Sequence, residues 1–115
     1  MVAVLAGNLP RTLMKASDLF SLQGKTVLLT GASGFLGSEM ARSLVENDAK
    51  VILFGRSEKL EALKTELANE FGEAQVDGYT VDMYDTDVLK NTLGEAVAKT
   101  GTVDVLVNNA HEMGP

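Results

Sequence analysis

Order in the apolar spacing begins at Lys25. Four short aliphatic and β-branched runs, at positions 26–30, 51–54, 76–81 and 103–107, are separated by polar or glycine-bearing stretches and read as buried strands. Between them apolar residues recur at helical spacing. Leu36, Met40, Ala41, Leu44 and Val45 fall on one face, while Glu39, Arg42 and Glu46 point elsewhere. A second helix is predicted from Ser57, as N-cap, through Leu60, Leu63, Leu67 and Phe71 to Gly72, as left-handed C-cap. A third starts near Asp85 or Thr86, carries Val88, Leu89, Leu93, Ala96 and Val97, and closes at Lys99 and Gly101. Strict alternation of strand and helix implies parallel strands joined by right-handed crossovers, an α/β doubly wound sheet of four strands and three helices. Residues 1–18, with Gly7, Asn8 and Pro10 and no clean period, read as an arm before a single domain at 19–115.

The junction of the first strand and first helix carries the densest chemical signal. It reads Thr30-Gly31-Ala32-Ser33-Gly34-Phe35-Leu36-Gly37. Glycines between a strand and a helix let backbone approach a pyrophosphate, whose charge the helix N-terminus favours. The alternative is a tight turn that needs glycine for its own geometry. On the ligand reading, a bulky residue at Gly31 is expected to exclude the pyrophosphate. The second strand runs into Gly55-Arg56-Ser57, where a dinucleotide fold reads the adenosine ribose. An arginine fork there suits the 2′-phosphate of NADP, whereas a carboxylate would suit the ribose hydroxyls of NAD. Arg56 therefore favours NADP over NAD, the alternative being a solvated side chain near a helix start. Ser33 and Ser57 offer hydroxyl donors.

Two further strand ends carry polar residues. After the third strand comes Val81-Asp82-Met83-Tyr84-Asp85, with Asp82 either accepting from an adenine amino group or capping the next helix, the role that suits Asp85 better. The fourth strand enters Asn108-Asn109-Ala110-His111, where paired amides either satisfy loose backbone groups or floor a nicotinamide ribose.

These four motifs, in this order and spacing, resemble the N-terminal half of a short-chain dehydrogenase/reductase over 19–110. The resemblance implies a Rossmann-like fold and cofactor contacts from Gly31, Ser33, Gly34, Phe35, Leu36 and Gly37 to pyrophosphate and ribose. It also implies Arg56 at the 2′-phosphate, Asp82 and Met83 at adenine, and Asn109, Ala110 and His111 along the nicotinamide ribose. The G-x-x-G-x-x-G spacing is that of extended members acting on nucleotide sugars, while Asn-Asn-Ala typifies the shorter alcohol and ketone oxidoreductases. His111 stands where members often have glycine, and reads as a polar loop residue with a titrating role as the alternative.

The family's catalytic Ser and Tyr-x-x-x-Lys have no counterpart here, since Tyr79 is followed four positions on by Met83 and Tyr84 by Val88. No catalytic residue is therefore assigned. The favoured reading is the cofactor-binding half, truncated after the fourth strand, of an NADP-dependent oxidoreductase acting on a small-molecule carbonyl or alcohol. The alternatives are a non-catalytic dinucleotide-binding module and a nucleotide-sugar epimerase or dehydratase.

Composition narrows the partners. Sixteen Asp plus Glu against ten Lys plus Arg give a net charge of -6, the wrong sign for nucleic acid or an anionic membrane. With no Cys and one His, no metal site is expected. The longest apolar stretch, Met1 to Ala6, is far short of a bilayer span and lacks a basic n-region, so a cytoplasmic location is the default. A bare fourth strand would expose Val103, Val105 and Val107 as a sticky edge, which points to a homo-oligomer.

Overall fold

A computed structural model describes residues 21–110 of the 115, so the arm at 1–18 and His111 lie outside the described residues. The elements follow the apolar pattern: β1 (Thr26–Thr30), α1 (Phe35–Glu46), β2 (Lys50–Gly55), α2 (Lys59–Phe71), a short 3-10 turn (Glu73–Gln75), β3 (Val76–Thr80), α3 (Thr86–Thr100) and β4 (Val105–Asn108). All strand pairs are parallel and the sheet order is β3-β2-β1-β4. Val27 stands level with Val51 on one side and Val105 on the other. This is the Rossmann-like α/β arrangement expected from the sequence. The chain winds outward from β1 to β3 and then returns to lay β4 on the far side of β1. That reversal opens a crevice beyond the carboxyl ends of β1 and β4.

Two apolar layers hold the sheet. On one face Val27, Leu29, Val51, Leu53 and Val76 pack against Ala41 and Val45 of α1 and Leu60 and Leu67 of α2. On the other, Leu28, Ile52 and Phe54 pack with Val81 and with Ala96 of α3. β1 and nearly all of β2 are buried on both faces, which is why neither shows polar alternation.

The element ends obey local chemistry. The Asp85 carboxylate accepts the Val88 N–H at 3.2 Å and caps α3, as its position suggested. Ser57 accepts the Lys59 N–H at 3.2 Å, so its hydroxyl serves the start of α2 although the regular helix begins at Lys59. Gly72 and Gly101 end α2 and α3 at positive φ, 104° and 89°.

Three expectations need correction. Leu36 does not join the core face of α1 but is 60 % exposed, because it lines the open crevice instead of packing on the sheet. On α3 only Ala96 is buried, and Val88, Leu93 and Val97 are exposed. β4 starts at Val105 and is only half-buried, with Val105 and Val107 packed on the α1–α2 layer and Leu106 standing out instead.

Candidate functional site

The crevice at the strand ends holds a cavity of about 540 Å³. Gly31, Ser33, Gly34, Phe35, Leu36 and Gly37 form its base, Arg56 lies at the end of β2, Asp82 and Met83 follow β3, and Asn109 and Ala110 follow β4. Every candidate residue inside the described range thus borders one space. Gly55, Lys59 and Tyr84 line it too, although the sequence had not singled them out as contacts, and Asn108 of the amide pair joins them.

The glycines differ in what holds them bare. At Gly37 a Cβ would overlap the Gly31 carbonyl oxygen and stand 2.9 Å from Ala32 Cα, so glycine is needed for α1 to follow the turn closely. Gly31 has φ +65° and a Cβ there would meet the backbone N–H nitrogen of Ala110 at 2.9 Å. The exclusion expected from a bulky residue at Gly31 is therefore first a clash with the chain leaving β4, not with a ligand. At Gly34 φ is -76° and the nearest atom to a Cβ is 3.7 Å away, so no protein atom requires glycine there.

The Thr30 hydroxyl ties the two strand ends together. It donates to Asn108 Oδ1 at 2.9 Å and accepts the N–H groups of Asn109 and Ala110, each at 3.0 Å. Asn109 Nδ2 donates to the Gly31 carbonyl at 3.2 Å. The amide pair thereby satisfies backbone and hydroxyl groups at the switch point, the structural reading of that motif, and fixes the wall of the cavity. Asp82 Oδ1 accepts the Tyr84 N–H at 2.9 Å, which closes a turn and sets that carboxylate at the cavity's edge.

Electrostatically, the start of α1 is open. No side chain caps it and no acidic residue occupies its first turn, in contrast to α3 with its Asp85 cap. The N–H groups of Phe35, Leu36 and Gly37 have no acceptor within the helix, and the dipole places positive potential at that end. Such a base can hold an anion against backbone without a charged side chain.

The most buried ionic cluster lies away from the cavity, on β3, around Asp77. Burial would raise the Asp77 carboxyl, but Lys99 Nζ at 2.8 Å, the Gly78 N–H at 2.9 Å and Lys64 at 3.7 Å together hold it below its ordinary value. Among the described residues no group of His, Cys, Asp and Glu converges to hold a metal, and no helix is long and apolar enough to cross a membrane.

The chain matches known proteins over this same region. The sequence profile of the family described as short chain dehydrogenase matches residues 25–113. A 3-oxoacyl-[acyl-carrier-protein] reductase of Rickettsia prowazekii is 38 % identical over 92 residues, covering 80 % of this chain and 35 % of that protein. An NADP-dependent mannitol dehydrogenase of Hypocrea jecorina is 36 % identical over 97 residues, covering 81 % of this chain and 36 % of its own length. The crystal structure of a short chain dehydrogenase from Bacillus anthracis superposes with a TM-score of 0.66 at 33 % identity, over 75 % of this chain and 34 % of that one. The chain therefore spans about a third of the length of these relatives.

Proposed function

Because the chain belongs to the short-chain dehydrogenase family, we propose that its cavity is the NADP(H) cradle of an oxidoreductase that moves hydride between the cofactor and a carbonyl or alcohol substrate. The observation that carries this reading is the convergence of the strand-end motifs on one cavity at the reversal of strand order. The residues suit a dinucleotide. Gly34 is bare without any protein atom demanding it, next to the uncapped start of α1, which fits close approach by a pyrophosphate. Asp82 would accept from the adenine amino group beside Met83, and Asn109 and Ala110, fixed by Thr30, would flank the nicotinamide ribose.

Arg56 supports NADP over NAD. It lines the cavity where β2 ends and makes no ion pair among the described residues, so its fork is available to a 2′-phosphate. When bound, the nicotinamide ring supplies or accepts the hydride. This chain's residues bind and orient the dinucleotide. Proton exchange with substrate is not assigned to them, since neither tyrosine begins a Tyr-x-x-x-Lys.

Calorimetric titration with NADP⁺ and NAD⁺ tests this. NADP⁺ is expected to bind more tightly, and Arg56→Ala to cut that preference about ten- to a hundredfold by removing charge-assisted bonds to the phosphate. Equal loss for both cofactors would remove the NADP assignment. Failure of the folded protein to bind either would remove the cradle.

A further inference from the structure

We propose that Lys59 is a specificity-determining residue of this cavity, a second cation that meets the 2′-phosphate of NADP(H) alongside Arg56. The inference rests on the dinucleotide reading above and goes beyond it by naming a residue that no motif marked.

The backbone at Lys59 is held in place from both sides. Its N–H donates to Ser57 Oγ at 3.2 Å, the next N–H, of Leu60, donates to the Ser57 carbonyl at 3.0 Å, and Leu60 is fully buried in the core. At the other end of the turn, Gly55 is paired with Thr80 in the sheet and admits the Ser33 hydroxyl, which a Cβ would approach to 2.8 Å. The segment from Gly55 to Leu60 is thus a fixed rim of the cavity.

Charge is sorted along that rim. Arg56, Ser57 and Lys59 border the cavity, whereas the intervening and following acids, Glu58 and Glu61, do not. Asp82 is the one carboxylate among the described lining residues, and its Oδ1 already accepts the Tyr84 N–H. A lysine in the first turn of α2 also works against the helix dipole, which favours acids there. A bound anion offsets that cost, since it attracts both the lysine and the helix start. The 2′-phosphate carries a charge of about -2 near neutral pH, as other phosphomonoesters do, and matches two cations better than one. Arg56 supplies a planar fork and Lys59 a mobile point charge. The two ribose hydroxyls of NAD would leave both cations unmatched.

The test compares adenosine 2′,5′-bisphosphate with 5′-AMP, which lacks the 2′-phosphate, as calorimetric probes of the full chain. Lys59→Gln is expected to weaken the bisphosphate about tenfold and leave 5′-AMP within about twofold, as loss of one charge-assisted contact would. Lys59→Arg should restore most of the affinity, and bisphosphate binding should weaken less steeply with added KCl in Lys59→Gln than in the wild type. An equal effect of Lys59→Gln on both probes, or none on either, overturns the role of Lys59 while a wild-type preference for the bisphosphate leaves the NADP reading standing. A wild-type protein without that preference overturns both.

Discussion

Gly34 and Gly37 lie one helical turn apart, yet the structure asks different things of them. Gly37 is bare because α1 packs on the turn that precedes it, and any Cβ would strike the Gly31 carbonyl. Gly34 has only the Gly31 carbonyl in ordinary contact range of a Cβ, at 3.7 Å, and no protein atom demands its bareness. The two alanine variants should therefore separate fold from ligand. Gly37→Ala is expected to destabilise the protein by about 1–3 kcal/mol, the cost of forcing an atom into a packed site. Gly34→Ala, at the N-cap of α1, should cost no more than about 1 kcal/mol, the ordinary difference between glycine and alanine at that position, because the added Cβ makes only an ordinary contact with the Gly31 carbonyl. It should nonetheless weaken NADP⁺ binding severalfold, measured by calorimetry beside thermal unfolding. Unchanged binding in the folded Gly34→Ala protein would show that its bareness serves no pyrophosphate. None of this distinction was legible in the spacing of the glycines. The constraint on Gly31 comes from Ala110, 79 positions away, and only the paired strand ends bring them together.

At the scale of elements, the sequence was most informative where local chemistry sets the boundary. Asp85, Gly72 and Gly101 act at helix ends because capping depends on a few adjacent residues. It was less informative where periodicity had to tell a core from a cavity, since Leu36 has core spacing but faces the crevice. β3 shows a third case. Asp77 interrupts an apolar strand, is only 8 % exposed, and joins Lys99 of α3 and Lys64 of α2 at the edge of the sheet, with the Tyr79 hydroxyl donating to it at 3.3 Å. Its carboxyl is held below the ordinary value, so its contribution is complete above the unfolded-state value near 3.8 and is lost as the pH falls through the lower folded value. Asp77→Asn is expected to lower stability by about 1 kcal/mol at pH 7, roughly one charged hydrogen bond at a partly solvated site. The gap between variant and wild type should close in acid, followed by urea unfolding from pH 7 to 2.5. A gap of constant size would mean that packing rather than charge explains the effect.

For the whole molecule, the parallel sheet with its helical crossovers follows from the alternating periods, whereas the strand order around β1, which gathers the polar strand ends at one cavity, is seen in the structure. What the pattern overstated was burial at the periphery. The spacing of Val88, Leu93 and Val97 is that of a core face, and their exposure leaves an apolar strip on α3. Leu106, level with Leu28 of the α3 layer, is 61 % exposed on a strand whose outer edge carries no partner among the described residues. Apolar surface next to a strand edge with no partner among the described residues favours association, because strand addition satisfies backbone groups while burying side chains. The protein should therefore self-associate with rising concentration in sedimentation velocity runs. Leu106→Lys should shift that association to higher concentration while changing stability by no more than about 0.5 kcal/mol, since the substituted side chain is solvent-facing. A wild-type protein that stays monomeric across the range, or a variant that associates as readily, would show that this edge does not drive assembly.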